Sequence, residues 1–286
     1  MRSRFSANLL LLALLALIAF LPGPSLGAAG KFRTLDEIKS SGKIVIGVFS
    51  DKAPFGYIDS GGQYQGYDIY FAERLAKDLG VKVEYKSVEP ASRVEFLETG
   101  KVDIILANFT VTPERAEKVD FALPYMKVSL GVVSPDSALI TEVSQLKGKT
   151  LIVAKGTTAD SFFTSKHPEV NLLKFDQYTE TFNALLDKRA EAFSTDNTEV
   201  LAWALQNPGF TVGIPSLGGL DTIAPAVTKG NSTLLKWLND KIKSLGGEQF
   251  FHKNYAETLA PVYGTAVNPD ELVVEGGVVK GAGLGG

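Results

Sequence analysis

The chain has 286 residues, of which 45% are hydrophobic, 10% aromatic and 21% charged. This globular balance excludes a disordered or fibrous body and leaves room for two modest domains. The formal net charge is −3 with no dense basic stripe, which argues against a nucleic-acid partner. There is no cysteine, and His167 and His252 are the two histidines. Disulfides, thiol nucleophiles, cysteine-ligated zinc and histidine-rich metal sites are therefore excluded, and neither histidine has a setting that suggests Ser-His-Asp catalysis.

In chain order, Arg2 and Arg4 precede an apolar run over 9–21, followed by Pro22, Gly23 and Pro24 and then Ser25 and Gly27. This is the pattern of a secretory signal peptide over 1–27, cleaved after Gly27 or Ala29. The run is shorter than the ~20 residues a spanning helix needs. No cysteine stands at the cleavage site to take a lipid anchor. The exported protein is expected free in solution, in a periplasm.

Strand-like and helix-like segments then alternate. The β-branched run 44–49 predicts a strand, and 67–79 a helix with Ala72, Leu75, Ala76 and Leu79 on one buried stripe. Strands are expected over 81–88 and 102–106, with a short helix over 93–99 between them. The pattern restarts with a strand at 150–154, a Gly156-Thr157-Thr158 turn and a helix from 159 to about 166. Further strands fall at 172–175 and 191–194, with helices over 178–188 and 198–206. A strand near 223–227 and helices at 233–245 and 248–259 complete the series. Repeated strand–helix–strand units call for an α/β fold with mostly parallel sheets flanked by helices. Two such series predict two lobes, joined through 127–134 and 219–227. The boundaries are 31–127 plus 225–264 for lobe 1 and 128–224 for lobe 2. The Gly-rich end, 265–286, has few apolar residues and is expected to be a flexible tail.

The chemistry-bearing residues cluster at the carboxyl ends of strands, where open α/β folds bind ligands. Asn108-Phe109-Thr110-Val111-Thr112-Pro113-Glu114-Arg115 follows a buried strand. Thr112 suits an N-cap and Pro113 the first helical turn, so N–H groups there favour an anion, and Arg115 can add a bidentate pair to a carboxylate. An ordinary capped helix with a solvated arginine fits the same spacing. Lys155-Gly156-Thr157-Thr158 is a second glycine turn into a helix. It lacks the spacing of a phosphate-binding loop and reads equally as a tight connection. Asp196 ends a strand and suits an ammonium, or caps the helix after it. Arg93 opens a helix, where a cation is unfavourable unless it faces something negative; a salt bridge to Glu89 or Glu95 would also satisfy it. Among Phe55, Tyr57, Tyr64, Tyr67, Phe109 and Tyr125, one or two are expected on a ligand and the rest in core.

Together these segments resemble the bacterial extracellular solute-binding proteins of family 3, the polar amino-acid-binding components of ABC importers. The resemblance runs from about residue 35 to 264. It is carried by Ala53-Pro54-Phe55, Gly66-Tyr67-Asp68-Ile69, Lys101-Val102-Asp103-Ile104-Ile105, Thr110-Val111-Thr112-Pro113-Glu114-Arg115, Val119-Asp120-Phe121, Pro124-Tyr125, Gly156-Thr157-Thr158, and Glu191-Ala192-Phe193 with Asp196. It implies a two-lobed clamshell of the type II periplasmic-binding-protein class, with two hinge strands, closing over a free amino acid. Arg115 would grip the α-carboxylate with Thr110 and backbone N–H groups near Thr158, and Asp196 would take the α-ammonium. Asn108 and Phe109 match cleft-lining positions. Lys52 departs from the family, falling where many members carry an aromatic lid, so Phe55 or Tyr57 is expected to supply that cover. Ala91-Ser92-Arg93-Val94-Glu95-Phe96, Ala107-Asn108-Phe109-Thr110 and Asp196-Asn197-Thr198 look most like the cysteine-binding members, with an aspartate/glutamate-binding group close behind. Arg93 would then face the ligand side chain. The expectation is a monomeric binding protein, without cofactor, metal or catalysis, that delivers its amino acid to permease subunits. The alternatives are a cyclohexadienyl or arogenate dehydratase on the same scaffold, and a ligand-binding sensor or adhesin.

Overall fold

The computed structural model describes residues 32–279, so the expected signal peptide lies outside the described residues. Helix α1 (Leu35–Ser41) starts at a reciprocal capping box between Thr34 and Glu37 and ends at Gly42 in the left-handed conformation. Then come β1 (Lys43–Val48), β2 (Asp51–Lys52), β3 (Gly56–Ile58), β4 (Tyr64–Gln65), α2 (Tyr67–Leu79), β5 (Lys82–Ser87), α3 (Arg93–Glu98), β6 (Ile104–Ile105), α4 (Pro113–Lys118) and β7 (Val119–Phe121). Strand β8 (Met126–Pro135) carries the chain into a second lobe made of β9 (Thr150–Ala154), α5 (Thr158–Lys166), β10 (Asn171–Phe175), α6 (Tyr178–Leu186), β11 (Ala192–Asp196), α7 (Asn197–Gln206) and β12 (Phe210–Ile223). The chain returns through β13 (Ala226–Thr228), α8 (Ser232–Gly247), α9 (Phe250–Thr258), α10 (Ala260–Tyr263) and α11 (Pro269–Leu272).

Each lobe has one five-stranded sheet, ordered β5-β1-β6-β13-β7 in the first and β10-β9-β11-β8-β12 in the second. Parallel pairing holds for three strands of each. One strand of each, β13 in the first and β8 in the second, is reversed and pairs antiparallel with both neighbours, so β7 and β12 run in the direction of the parallel three. The two crossings lie side by side: Met126 pairs with Ile223 and Lys127 with Thr222, so β8 and β12 form one antiparallel ribbon at the junction. Strand β12 was not read from the sequence, because Pro215 and Gly213, Gly218 and Gly219 interrupt its pattern. Three register shifts in its pairing with β8 absorb them.

The buried stripe of α2 packs, with Leu234, Leu238, Ile242 and Leu245 of α8, against Ile44, Ile46 and Val48 of β1. A second apolar cluster takes residues from both lobes. It includes Phe49, Ile105 and Phe109 from the first and Ile152, Tyr178 and Phe193 from the second. The lobes are thus in apolar contact.

The C-terminal stretch is not loose over its described part. Asn268 caps α11, and Leu272, Val273 and Val274 are buried. Val273 bridges to Met126, and the Val274 N–H donates to the Tyr125 carbonyl. Gly276 lies against Gly246, and Gly277 against Leu123, in space that a Cβ would fill. Small residues here serve close packing, which composition alone reads as flexibility. Residues 280–286 lie outside the described residues. Replacement Leu272→Ala is expected to cost about 2–5 kcal/mol in urea unfolding, the usual range for a buried leucine. An unchanged midpoint would show that the segment contributes nothing to the fold.

Candidate functional site

The cleft is built first by the loop after β6. Asn108 sits at φ 45°, a left-handed conformation that asparagine tolerates better than most side chains. Its N–H donates to Asp68 Oδ2 at 2.8 Å, and Asp68 Oδ1 takes the Tyr125 hydroxyl at 2.6 Å. Burial pushes the Asp68 carboxyl up to about 7, against the hydrogen bonds from Tyr125 and Asn108. Held this way, Asn108 leaves both polar atoms of its amide buried without a partner among the described residues. Unmade bonds of this kind are costly, so they mark the position.

Two guanidinium groups flank the next ring. Arg93 and Arg115 lie with their guanidinium carbons 4.4 and 4.8 Å from the Phe109 centroid. Arg93 is not paired with Glu89 or Glu95; it donates to the carbonyls of Pro90, Ala107 and Asn108. Burial, reinforced by the nearby Arg115, pulls its pKa down to about 9. Thr112 caps α4 by accepting from the Arg115 N–H, and the Arg115 side chain donates to the Thr110 carbonyl. Its other amino group crosses to the second lobe and donates to the Gly156 carbonyl at 2.9 Å. Burial lowers the Arg115 pKa, and the carboxylate of Asp196 works in the opposite direction. The cation and the carboxylate picked out in the sequence therefore stand on facing lobes, near enough for each to feel the other's charge.

Asp196 is the N-cap residue of α7, yet its side chain makes no capping bond. Its Oδ2 accepts from the Lys52 ammonium at 2.8 Å instead. Lys52, from the first lobe, also meets Glu199 Oε2 at 3.0 Å and the Tyr178 hydroxyl at 3.1 Å. Beside it, the Asp51 carboxylate accepts the Thr179 N–H at the start of α6, whose own N-cap residue, Gln177, supplies no side-chain bond. Gly156, at φ +74°, brings its Cα where an added Cβ would lie 2.6 Å from the Ala91 Cα of the first lobe.

Three expectations change with this geometry. The Gly156 N–H is taken by Asp160, so its carbonyl is what the site uses. The Thr157 hydroxyl is spent on the α5 cap, accepting from Asp160 N–H and donating to the Ala154 carbonyl, as a strand-to-helix turn requires. Phe55 is fully buried in the first lobe's core; its ring reaches the site only through the Lys52 ammonium, 5.9 Å away. Tyr57 is half-buried in the β2–β3–β4 sheet. Thr158 opens α5, half-buried, and Thr110 is buried with no hydrogen bond from its hydroxyl among the described residues.

A family model for bacterial extracellular solute-binding proteins, family 3, matches residues 44–257. The chain belongs to this family. It is 56% identical to the L-cysteine solute receptor of Neisseria gonorrhoeae in its crystal structure, over 85% of this chain and 100% of that one, with a TM-score of 0.84. The cysteine-binding protein of Campylobacter jejuni is 55% identical over 84% and 98%, with a TM-score of 0.83. The glutamine-binding protein GlnH of an ABC transporter in Bacillus subtilis is 32% identical over 88% of this chain and 96% of its own. These family members are binding proteins. No helix among the described residues is long and apolar enough to cross a membrane, and no group of three potential metal ligands occurs among them.

In this solute-binding protein, sequence reasoning flagged Lys52 only as a departure, and missed Asp51, Tyr178 and Glu199. The spacing of Asp196 and Glu199, three apart at a helix start, was the available signal for Glu199. Glu199 is fully buried, and burial pushes it up to about 8, although Lys52 pulls the other way. Burial alone would lower Lys52, but Asp196 and Glu199 outweigh it and hold the ammonium well above the ordinary lysine range. One cation thus sits between two carboxyl groups.

Two expectations follow from this chemistry. Asp68 and Glu199 hold protons more tightly folded than unfolded, so their stabilisation is full below the ordinary carboxylate range and is lost as pH rises through about 7 and about 8. The urea midpoint should fall from about pH 5 to pH 8, and fall less steeply in Glu199→Gln; a rise over this window would contradict the assignment. Replacement Gly156→Ala should hold the lobes apart by the Ala91 contact, read as a larger radius of gyration in X-ray scattering. An unchanged radius would refute that reading.

Proposed function

We propose that this protein is the exported binding component of an ABC importer and that it holds a free amino acid, cysteine before aspartate or glutamate, between its lobes. The observation that carries this is Arg115 from the first lobe and Asp196 from the second facing one cleft. A zwitterion joins them: its α-carboxylate meets Arg115, the Thr110 hydroxyl, the Thr158 turn and the unpartnered Asn108 amide. Its α-ammonium meets Asp196. Exclusion of water strengthens each charge-assisted bond, so the ligand adds to the interlobe bonds of Lys52 and Arg115 and favours the closed form further. Phe109 lines the site, and Arg93 faces the ligand side chain, where a guanidinium favours a thiolate or carboxylate. The likeness to two cysteine-binding proteins at 55–56% identity supports cysteine. The closed monomer, free in the periplasm after removal of the signal peptide, is then the form that permease subunits recognise.

Calorimetry of ligand-stripped protein under reducing conditions tests this. Cysteine is expected to bind in the micromolar range, roughly −8 kcal/mol. Arg115→Ala should weaken it at least 100-fold, about 3 kcal/mol, because a buried carboxylate loses its partner. Equal affinity in wild type and variant would end the assignment of Arg115.

A further inference from the structure

Lys52 is the cleft cation that the amino-acid grip leaves unused. It projects from the two-residue strand β2, is 1% exposed, and its ammonium lies 2.8 Å from Asp196 Oδ2, 3.0 Å from Glu199 Oε2 and 3.1 Å from the Tyr178 hydroxyl. An ammonium has three N–H bonds; Tyr178 and Asp196 accept two, and Glu199 lies at ion-pair distance beside them. The Tyr178 ring lies 4.5 Å and the Phe49 ring 5.5 Å from Nζ, so aromatic faces add to its hold on the charge. Lys52 is therefore committed to groups of the second lobe rather than open to a ligand carboxylate. It acts as a fixed positive charge beside the carboxylate that is to receive a ligand ammonium.

The consequence lies in what remains. Asp196 Oδ1 has no hydrogen-bond partner among the described residues, which leaves one oxygen for one ammonium. A second cation on the ligand would meet Lys52, Arg93 and Arg115 with no carboxylate to spare, in a site where like charges repel strongly because water is excluded. Glu199 offers no free site: its Oε2 is held by Lys52 and the Thr195 hydroxyl, and its Oε1 is buried. Without Lys52, the two carboxylates and the Tyr178 and Phe49 rings would form a cation-binding pocket.

We propose that Lys52 is a specificity-determining residue of the cleft, which rejects amino acids with cationic side chains by occupying the Asp196–Glu199 carboxylate pair that would otherwise receive them. This rests on the reading of the cleft as an amino-acid site, and the test separates the two. Calorimetry with cysteine, lysine and arginine is run on wild type, Lys52→Ala and the charge-conserving Lys52→Arg. The double variant Lys52→Ala/Glu199→Gln is measured alongside, because it leaves one unpaired carboxylate rather than two and keeps the fold testable. Circular dichroism melts check folding throughout.

Wild type and Lys52→Arg should bind lysine and arginine at least 100-fold more weakly than cysteine. Lys52→Ala should bind one of these cationic ligands at least 10-fold more tightly than wild type does, with a smaller gain in the double variant. Propylammonium, which can refill the vacated position, should reduce the gain; a gain it leaves unchanged at saturating concentration overturns the proposed position of the cation. Cysteine binding by wild type together with continued rejection of both cations by folded variants overturns the role of Lys52 alone. Failure of wild type to bind any free amino acid overturns the reading of the cleft and this proposal with it.

Discussion

Everything in this molecule depends on charges that belong to different lobes meeting in a place with little water. Lys52 leaves the first lobe to meet Asp196 and Glu199 of the second, and Arg115 leaves it to meet the Gly156 carbonyl. Burying an ion is expensive, and attraction repays the cost only when geometry is good and the remaining donors and acceptors are satisfied. Here the lysine side is complete and the carboxylate side is not. Oxygen atoms of Asp196 and Glu199, and the whole amide of Asn108, remain unpartnered among the described residues. The imbalance sits where the proposed zwitterion would reduce it.

The fold explains why these groups can be brought together and also separated. Both crossings run in one antiparallel ribbon, while the sheets of the lobes stay separate and one apolar cluster is shared between them. The groups proposed to hold the amino acid sit on short elements at the carboxyl ends of strands: the loop after β6, the β9–α5 turn and the end of β11. Rigid strands fix each group within its lobe. Asp68, reaching from α2 to the Asn108 N–H, fixes the most strained of them.

Periodic features were the legible part of the sequence. The α2 stripe, the α/β alternation and the two-lobe arrangement follow from hydrophobic spacing, as do the positions of Arg115 and Asp196 beyond or at the ends of strands. What stayed hidden depends on partners distant in the chain. Lys52 and Asp196 are 144 residues apart, and no local pattern shows that the lysine, rather than a helix N–H, takes the aspartate's oxygen. Thr157 and Phe55 misled for the opposite reason. Local roles as a cap and a core ring satisfied them, and residue type alone does not distinguish such roles from ligand contact. The C-terminal stretch was misread because glycines that permit tight packing look the same in composition as glycines that permit disorder.

The borrowed carboxylate at the start of α6 has a consequence for order within a lobe. Asp51 stands on the first lobe, and the Thr179 N–H that it receives belongs to a helix of the second. Separating the two halves withdraws that acceptor and returns the amide to solvent, so opening would fray the first turn of α6. Secondary structure in one half is in this way partly the property of its neighbour, and the neatness of a helix end becomes a local record of how the whole molecule is posed.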